Sequence, residues 1–102
     1  LRWAVENIMK NAVDSISIGK GEISTLIVSD DSGITLDIRD TGKGIPRKDW
    51  KNIFRPGYSS KHRGWGLGLS LTQRIIEDIH GGSIRVLSSK MGKTIFRLNF
   101  PV

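Results

Sequence analysis

The sequence predicts an α+β domain, a two-layer α/β sandwich in which helices cover one face of a mainly antiparallel mixed sheet. Three observations support this prediction. Apolar residues recur with helical spacing in two segments, strand-like runs occur in two pairs, and the order along the chain is helix, hairpin, loop, helix, hairpin. A chain of 102 residues is long enough for one two-layer core and too short for two. We therefore expect a single domain.

The first part of the chain predicts a helix followed by a hairpin. Residues 1–18 place apolar side chains on one helical face, and the glycines at 19 and 21 end this pattern. The strand-like runs 22–29 and 34–40 flank the turn signal Asp30-Asp31-Ser32-Gly33, so we expect them to pair as antiparallel strands. The apolar face of the predicted helix consists of Leu1, Val5, Ile8, Met9, Ala12 and Ile16.

The second part begins with a long loop. Residues 41–66 show mostly loop character, with a short helical turn around 46–54. Long loops in compact domains are usually functional lids or disordered segments, and the position of this one between two candidate binding segments favours a lid. Residues 67–80 predict a second helix, which two consecutive glycines end. A second hairpin follows, with strands at 83–89 and 93–100.

Composition and charge narrow the class of protein. The chain has no cysteine, which excludes a disulfide scaffold and a thiolate metal site, and it has no apolar run of the length that a membrane helix needs. Its net charge of +6 comes from scattered basic residues without a nucleic-acid-binding motif, so we expect no nucleic acid partner. Because the chain starts inside a helical pattern, we expect it to be a piece of a longer protein, with no direct membrane contact of its own.

Two glycine-containing segments predict a nucleotide site. In Asp40-Thr41-Gly42-Lys43-Gly44-Ile45-Pro46, a carboxylate at a strand end can accept a hydrogen bond from an exocyclic amine, and the glycines let a flat ring lie against the backbone. Gly64-Trp65-Gly66-Leu67-Gly68 leads directly into the second predicted helix, whose N-terminal N–H groups favour phosphate. The first segment thus offers a base pocket and the second a phosphate cradle.

A polar stripe on the first predicted helix suggests a magnesium site. Asn7, Asn11 and Asp14 are spaced to share one side of the helix, away from its apolar face. Amide oxygens can ligate Mg²⁺ without adding negative charge beside phosphates. The alternative is that these residues form the ordinary polar face of an amphipathic helix.

Four motifs in order resemble the ATP-binding catalytic domain of bacterial two-component sensor histidine kinases, a superfamily shared with DNA gyrase B, MutL and the ninety-kilodalton heat-shock chaperone. Asn7 to Asp14 looks like the family's N box, Asp40 to Ile45 like the G1 box, Lys51 to Pro56 like the F box, and Gly64 to Leu69 like the G2 box. The lid sequence and the Asn-Ala-Val-Asp of the N box resemble the nitrogen-regulator branch more than the osmosensor branch. The resemblance covers nearly the whole chain and implies the Bergerat fold with an ATP lid.

The resemblance also implies roles for individual residues. Asn11 would be the Mg²⁺ ligand, Asn7 would contact phosphate or complete the metal shell, and Asp40 would accept a hydrogen bond from the adenine amino group. Phe54 would anchor the lid, with a core aromatic as the alternative. Many family members have Lys then Tyr at the positions of Asp14 and Ser15, so here Tyr58 or apolar residues would take over the stacking on adenine. The remaining implied ATP-binding residues are Gly42, Gly44, Ile45, Ser59, Ser60, Lys61, Gly64, Gly66, Leu67 and Gly68.

The implied activity is phosphoryl transfer. A domain of this kind binds Mg·ATP and donates the γ-phosphoryl group to a histidine on a separate helical domain of its parent kinase. That helical domain carries the phosphoacceptor and forms the homodimer. The response regulator is the further partner, and the expected location is the cytoplasm. The parent can be anchored in a membrane. The gyrase-type relatives hydrolyse ATP with a glutamate that activates water. This chain has Asn7 at that position, and because an asparagine cannot accept a proton, hydrolysis would lack its general base. Glu6 lies roughly 140° away from the asparagine stripe at 3.6 residues per turn.

The chain itself is expected to lack the phosphate acceptor. Neither of its histidines, His62 and His80, stands in a histidine-acid acceptor motif, so we expect no catalytic residue within the chain and no self-phosphorylation. His80 at the end of the second predicted helix fits a helix C-terminus. Two alternatives remain open: a serine kinase of the anti-sigma-factor type, and a non-catalytic nucleotide-binding module.

Overall fold

The computed structural model describes residues 2–15, 21–55 and 68–101, and for some of the helical residues only the backbone. Its elements follow the predicted order. Two 3₁₀ turns and a final π-helical turn accompany two α-helices and four strands. The bounds are α1 Arg2–Ser15, β1 Ile23–Asp30, β2 Gly33–Asp40, 3₁₀ turns Arg47–Asp49 and Asn52–Phe54, α2 Gly68–Arg74 with the π turn Ile75–Ile79, β3 Ser83–Lys90 and β4 Lys93–Pro101.

The four strands form one sheet in the spatial order β1-β2-β4-β3, and every strand pair in the described part of the chain is antiparallel. Both predicted hairpins are present. In the first turn, the amide and the hydroxyl of Ser32 both donate to the Asp30 carboxylate, and these hydrogen bonds lower the pKa of Asp30. The local turn chemistry therefore forms the hairpin that the sequence predicts.

The core lies between one face of the sheet and the two helices. Alternate residues of the strands point to this core-facing side, as the pleat of a strand requires. Helix α1 contributes Ala4 and Ile8, and Val5 and Met9 pack against the core beside them. The prediction for the apolar face was therefore right about Val5, Ile8 and Met9 but omitted Ala4, which is fully buried. The buried cluster consists of Ala4, Ile8, Ile38, Ile53, Phe54, Ile76, Ile84, Val86, Phe96 and Leu98.

The opposite face of the sheet, here called the open side, carries polar and charged residues of β2 and β4 together with the apolar Leu26, Val28 and Ile95. Asp37 on β2 pairs with Arg97 on β4, and the guanidinium donates two hydrogen bonds of 2.7 and 2.8 Å to the two carboxylate oxygens. This contact, together with the charges of Arg97 and Arg85, lowers the pKa of Asp37. One row along this side, Thr35 donates to the amide oxygen of Asn99 at 3.0 Å.

The second helix closes with a wider last turn. After α2, the π turn runs to Ile79, and the amide of Gly82 donates to the carbonyl of Ile76 at 2.9 Å. The helix thus ends at the two consecutive glycines, as predicted. None of the helices described in 2–15, 21–55 and 68–101 is long and apolar enough to pass through a bilayer.

Candidate functional site

The site is organised around Asp40, the last residue of β2. This carboxylate is 2% exposed, and its Oδ1 accepts a hydrogen bond of 2.8 Å from the amide of Gly42, itself a buried residue. An aspartate that accepts from the backbone two residues later turns the chain sharply. The strand therefore ends in a tight turn whose first residues fold around the Asp40 carboxylate. This is the carboxylate predicted to accept a hydrogen bond from the base.

The turn between β3 and β4 supports this loop. The amide of Gly92 donates to the carbonyl of Gly42 at 2.8 Å. Gly44 has a φ of +86° and lies so close to the opposing turn that a Cβ atom built on it would come within 2.8 Å of the backbone of Lys90. A side chain at position 44 would thus meet both conformational strain and a backbone clash. The second hairpin thus packs directly against the loop that follows Asp40.

Ile45 is held at both of its backbone groups. Its amide donates to the hydroxyl of Ser89 at 2.7 Å, and its carbonyl accepts from the indole N–H of Trp50 at 2.9 Å. The guanidinium of Arg47 stacks over the Trp50 ring at 5.0 Å from the centroid. The structure therefore brings Asp40, the two glycines and Ile45 together in one anchored loop.

Sequence reasoning missed three residues that support this loop: Ser89, Thr94 and Trp50. Thr94 is the register partner of Asp40 and is equally buried, and its hydroxyl lies 2.7 Å from that of Ser89. One signal was available, because Thr94 is a polar residue in the inward-facing series that continues with Phe96 and Leu98. Nothing comparable in the sequence pointed to Ser89.

The two helices meet at the first asparagine of the polar stripe. The side-chain amide of Asn7 donates to the hydroxyl of Thr72 at 2.8 Å, and Thr72 is fully buried. Asn11 lies one turn further along α1, but its side chain falls outside the described part of the structure. Glu6, by contrast, is exposed on the outer side of α1, as the helical geometry predicts.

The lid and most of the phosphate cradle fall outside the described residues. This applies to Tyr58, Ser59, Ser60, Lys61, Gly64, Gly66 and Leu67, to His62, and to the surroundings of Gly68, whose backbone begins α2. Phe54, at the near end of this segment, is 8% exposed and packs edge-to-face against Phe96, with ring centroids 6.4 Å apart. Its role as a core aromatic is confirmed, whereas its role as a lid anchor stays a prediction.

The described residues do not support metal binding by a cluster of acidic or histidine side chains. Within 2–15, 21–55 and 68–101, no three His, Cys, Asp or Glu side chains form a group that could hold a metal ion. His80 is exposed at the end of the π turn, where the prediction placed it. The magnesium role assigned to Asn11 stays a prediction, because its side chain lies outside the described part of the structure.

Comparison with known proteins gives a consistent result. The family model described as histidine kinase-, DNA gyrase B-, and HSP90-like ATPase matches residues 1–102. Sporulation kinase A of Bacillus subtilis (strain 168) is 39% identical over 101 residues, which is 99% of this chain and 16% of that protein. Signal transduction histidine-protein kinase AtoS of Escherichia coli (strain K12) is 43% identical over 103 residues, covering 100% of this chain and 17% of that protein. The chain thus spans less than a fifth of the length of these relatives.

Solved structures show the same fold. The nucleotide-free catalytic domain of histidine kinase ThkA superposes with a TM-score of 0.82 at 28% identity, covering 96% of this chain and 63% of that one. ThkA in complex with response regulator protein TrrA gives a TM-score of 0.78 at 26% identity, covering 96% of this chain and 27% of that one. The α+β architecture of helices on one side of an antiparallel sheet is therefore that of histidine kinase catalytic domains.

Proposed function

The chain belongs to the histidine kinase-, DNA gyrase B- and HSP90-like ATPase family, and we propose that it is the Mg·ATP-binding catalytic domain, over 1–102, of a longer two-component sensor kinase. In this proposal the domain donates the γ-phosphoryl group of ATP to a histidine on a helical dimerisation and phosphoacceptor domain of the same parent. ATP is the ligand that the family implies.

The observation that carries the proposal is the burial of Asp40 beside an anchored glycine loop. An aspartate carboxylate in an apolar core is costly unless hydrogen-bond donors face it, and a purine amino group is such a donor. Gly44 lets the loop pack directly against the backbone of Lys90, and this contact helps to hold the loop beside the carboxylate where a planar base would lie. Asp40 would orient adenine, with Gly44 and Ile45 beneath the ring.

The phosphate end of the ligand is assigned to the two helices. Asn7 and Asn11 lie one turn apart on α1, and the contact between Asn7 and Thr72 brings this helix against α2, whose first residue is Gly68. The amide oxygen of Asn11 would hold Mg²⁺, and the bound ion would supply charge neutralisation for the phosphates. The amides of Gly64, Gly66 and Gly68, together with Leu67, would receive the phosphate oxygens. Tyr58, Ser59, Ser60 and Lys61 would close over the ligand as the lid.

Transfer to a protein acceptor is favoured over hydrolysis. The position one turn before Asn11 is Asn7, which cannot accept a proton, and the neighbouring Glu6 is exposed and lies roughly 140° from the asparagine stripe at 3.6 residues per turn. A water at the γ-phosphate would therefore lack a general base. Phosphoryl transfer needs chiefly positioning and charge neutralisation, which the proposed site supplies to an external nucleophile.

The proposed partner is inferred from a structurally similar kinase. The solved complex of ThkA with response regulator protein TrrA makes a response regulator the expected downstream partner of this chain as well. We place the domain in the cytoplasm, where ATP and such regulators occur together. We assign it neither nucleic acid nor direct membrane contact.

Isothermal titration tests nucleotide binding. We expect ATP and a non-hydrolysable analogue to bind the chain, more tightly with Mg²⁺ than without it. Asp40→Asn replaces a charged acceptor by an amide and should weaken ATP binding about tenfold or more. The matched control is Asp37→Asn, which alters the same strand on the open side and should leave the Kd within about twofold of the unmodified chain. Equal losses in the two variants would contradict the assignment of Asp40.

A transfer assay tests the reaction. With labelled ATP and the separately supplied phosphoacceptor helical domain, label should appear on that domain in an acid-labile, base-stable form and not on this chain. Acid-stable label on the serine of a small protein partner would instead identify the serine kinase alternative. ATP binding without transfer to any acceptor would identify the non-catalytic module.

A further inference from the structure

Strand β3 contains a β-bulge beside the candidate site. Upstream of it Val86 pairs with Phe96, whereas downstream Ser88 pairs with Ile95, so that Leu87 is an extra residue in β3. Side chains alternate between the two faces of a strand, and an inserted residue therefore reverses the facing of everything after it. In a regular ladder the first serine of the Ser-Ser pair would face the core. With the bulge, the second serine does.

The bulge places Ser89 in a row with the carboxylate of the site. Ser89 pairs with Thr94 on β4, and Thr94 in turn pairs with Asp40 on β2. Register partners in antiparallel strands point to the same face of the sheet. Three polar side chains thus lie side by side on the core-facing side, and both Thr94 and Asp40 are 2% exposed.

The hydroxyl of Ser89 connects this row to the loop. It accepts a hydrogen bond of 2.7 Å from the amide of Ile45 and lies 2.7 Å from the hydroxyl of Thr94. A hydroxyl can accept from one group while it donates to another, so both contacts can exist together. Ser89 is thereby the link between the far end of the loop and the strand that faces Asp40.

From this geometry we infer that Ser89 is a positioning residue for the base pocket. Asp40 holds the start of the loop through the amide of Gly42, and Ser89 holds its end through the amide of Ile45. The distance between the carboxylate and the backbone beneath the base is then set by both contacts. The inference rests on the proposed function, because it concerns the same nucleotide site. Because of the bulge, the side chain of Ser89 and not that of Ser88 faces that site.

The adjacent serine provides a matched control. Ser89→Ala removes the acceptor for Ile45, whereas Ser88→Ala makes the same chemical change one residue away on the opposite face. We expect Ser89→Ala to raise the Kd for ATP about fivefold in isothermal titration, the effect of one lost hydrogen bond. We expect Ser88→Ala to stay within about twofold of the unmodified chain. Ser89→Thr keeps a hydroxyl and should bind ATP nearly as the unmodified chain does.

Amide hydrogen exchange gives a second readout that needs no variant. In the unmodified chain without ligand, the Ile45 amide should exchange much more slowly than a free amide, and in Ser89→Ala its exchange should accelerate at least tenfold. Rapid exchange of this amide in the unmodified chain would overturn the inference, as would equal Kd values for the two alanine variants or a Ser89→Thr variant as weak as Ser89→Ala. Failure of the unmodified chain to bind ATP would instead overturn the proposed function itself.

Discussion

The side-chain amide of Asn7 donates a hydrogen bond of 2.8 Å to the hydroxyl of Thr72, which is fully buried between α1 and α2. The two residues are distant in sequence, and their contact joins the helix of the asparagine stripe to the helix that follows the glycine-rich loop. The side chain implied to contact phosphate or to complete the metal shell is therefore oriented by a threonine on the other helix. This relationship suggests how the phosphate end of the site is held in place.

The contact between Asn7 and Thr72 can be tested with an isosteric change. Thr72→Val removes the hydroxyl, and we expect it to lower the free energy of unfolding by about 1–2 kcal/mol. It should also weaken ATP binding more strongly in the presence of Mg²⁺ than in its absence, because the orientation of Asn7 matters when the metal is bound. Urea unfolding and isothermal titration measure the two effects. The control is Thr35→Val, which removes the hydrogen bond to Asn99 on the open side. Equal changes in Kd for the two variants would show that the Thr72 contact is merely structural.

Two glycines with the same backbone conformation separate strain from steric contact. Gly44 and Gly92 both have a φ of +86°, but a Cβ on Gly92 would meet no atom within 4 Å. Gly92→Ala should cost about 1–3 kcal/mol of stability from backbone strain alone. Gly44→Ala should cost about 1–3 kcal/mol more, because its Cβ would press against Lys90. Thermal unfolding measures both, and ATP affinity should fall for Gly44→Ala in particular. Similar destabilisation by both changes would contradict the close approach of the loop to the second hairpin.

The ion pair on the open side predicts how stability depends on pH. The hydrogen bonds from Arg97 hold the pKa of Asp37 below its ordinary value. The pair therefore contributes stability above the unfolded-state pKa of about 3.9, and this contribution is lost as the pH falls through the lower folded-state pKa. Urea unfolding between about pH 5 and pH 2 should show a shallower loss of stability in Asp37→Asn.

Arg97→Lys should behave in the same way, because a lysine cannot make the two-pronged contact with the carboxylate. An NMR titration of the Asp37 carboxyl carbon measures its pKa directly. An ordinary value there, or unchanged acid sensitivity in Asp37→Asn, would be incompatible with the ion pair.

The two aromatic rings of the core offer a test of the lid anchor. Phe54 lies at the edge of the lid segment, whereas its partner Phe96 lies on β4. Each change to leucine removes one ring of an edge-to-face pair and should lower stability by about 1–2 kcal/mol. If Phe54 also anchors the lid, only Phe54→Leu should accelerate the dissociation of ATP in stopped-flow measurements. Identical dissociation rates would leave Phe54 with a role in the core alone.

Much of the fold could be predicted from local patterns. The strands at 22–29 and 34–40 were predicted to within one residue of β1 and β2, since alternation and turn residues act over a few positions. The π turn was not predicted, because its hydrogen bonding is a small variation on the helical period. Ala4 was missed for a different reason: a small side chain contributes little to a hydrophobic pattern, although the helix packs closely there.

The candidate site divides in a similar way. Asp40, Gly42, Gly44 and Ile45 were identified because they are neighbours in the chain and form a recognisable motif. The groups that hold them were not. Trp50 lies only five residues from Ile45, but no motif marks it as a partner of that carbonyl. Ser89 and Thr94 reach the loop from strands that are distant in the sequence. Their partners depend on which strand lies beside which, and in what register.

The sequence by itself determined the order of the elements, the hairpins and the types of side chain proposed to bind a nucleotide. Periodicity, turn chemistry and motifs are properties of short segments, so they can be read without the fold. The tertiary structure alone decided which side chains hold those groups in place. Because of a single inserted residue in β3, Ser89 faces the core and Ser88 does not. The packing of α1 against α2 places Thr72 within hydrogen-bond distance of Asn7. Such choices depend on distances between segments remote in sequence, which only the assembled sheet and helices establish.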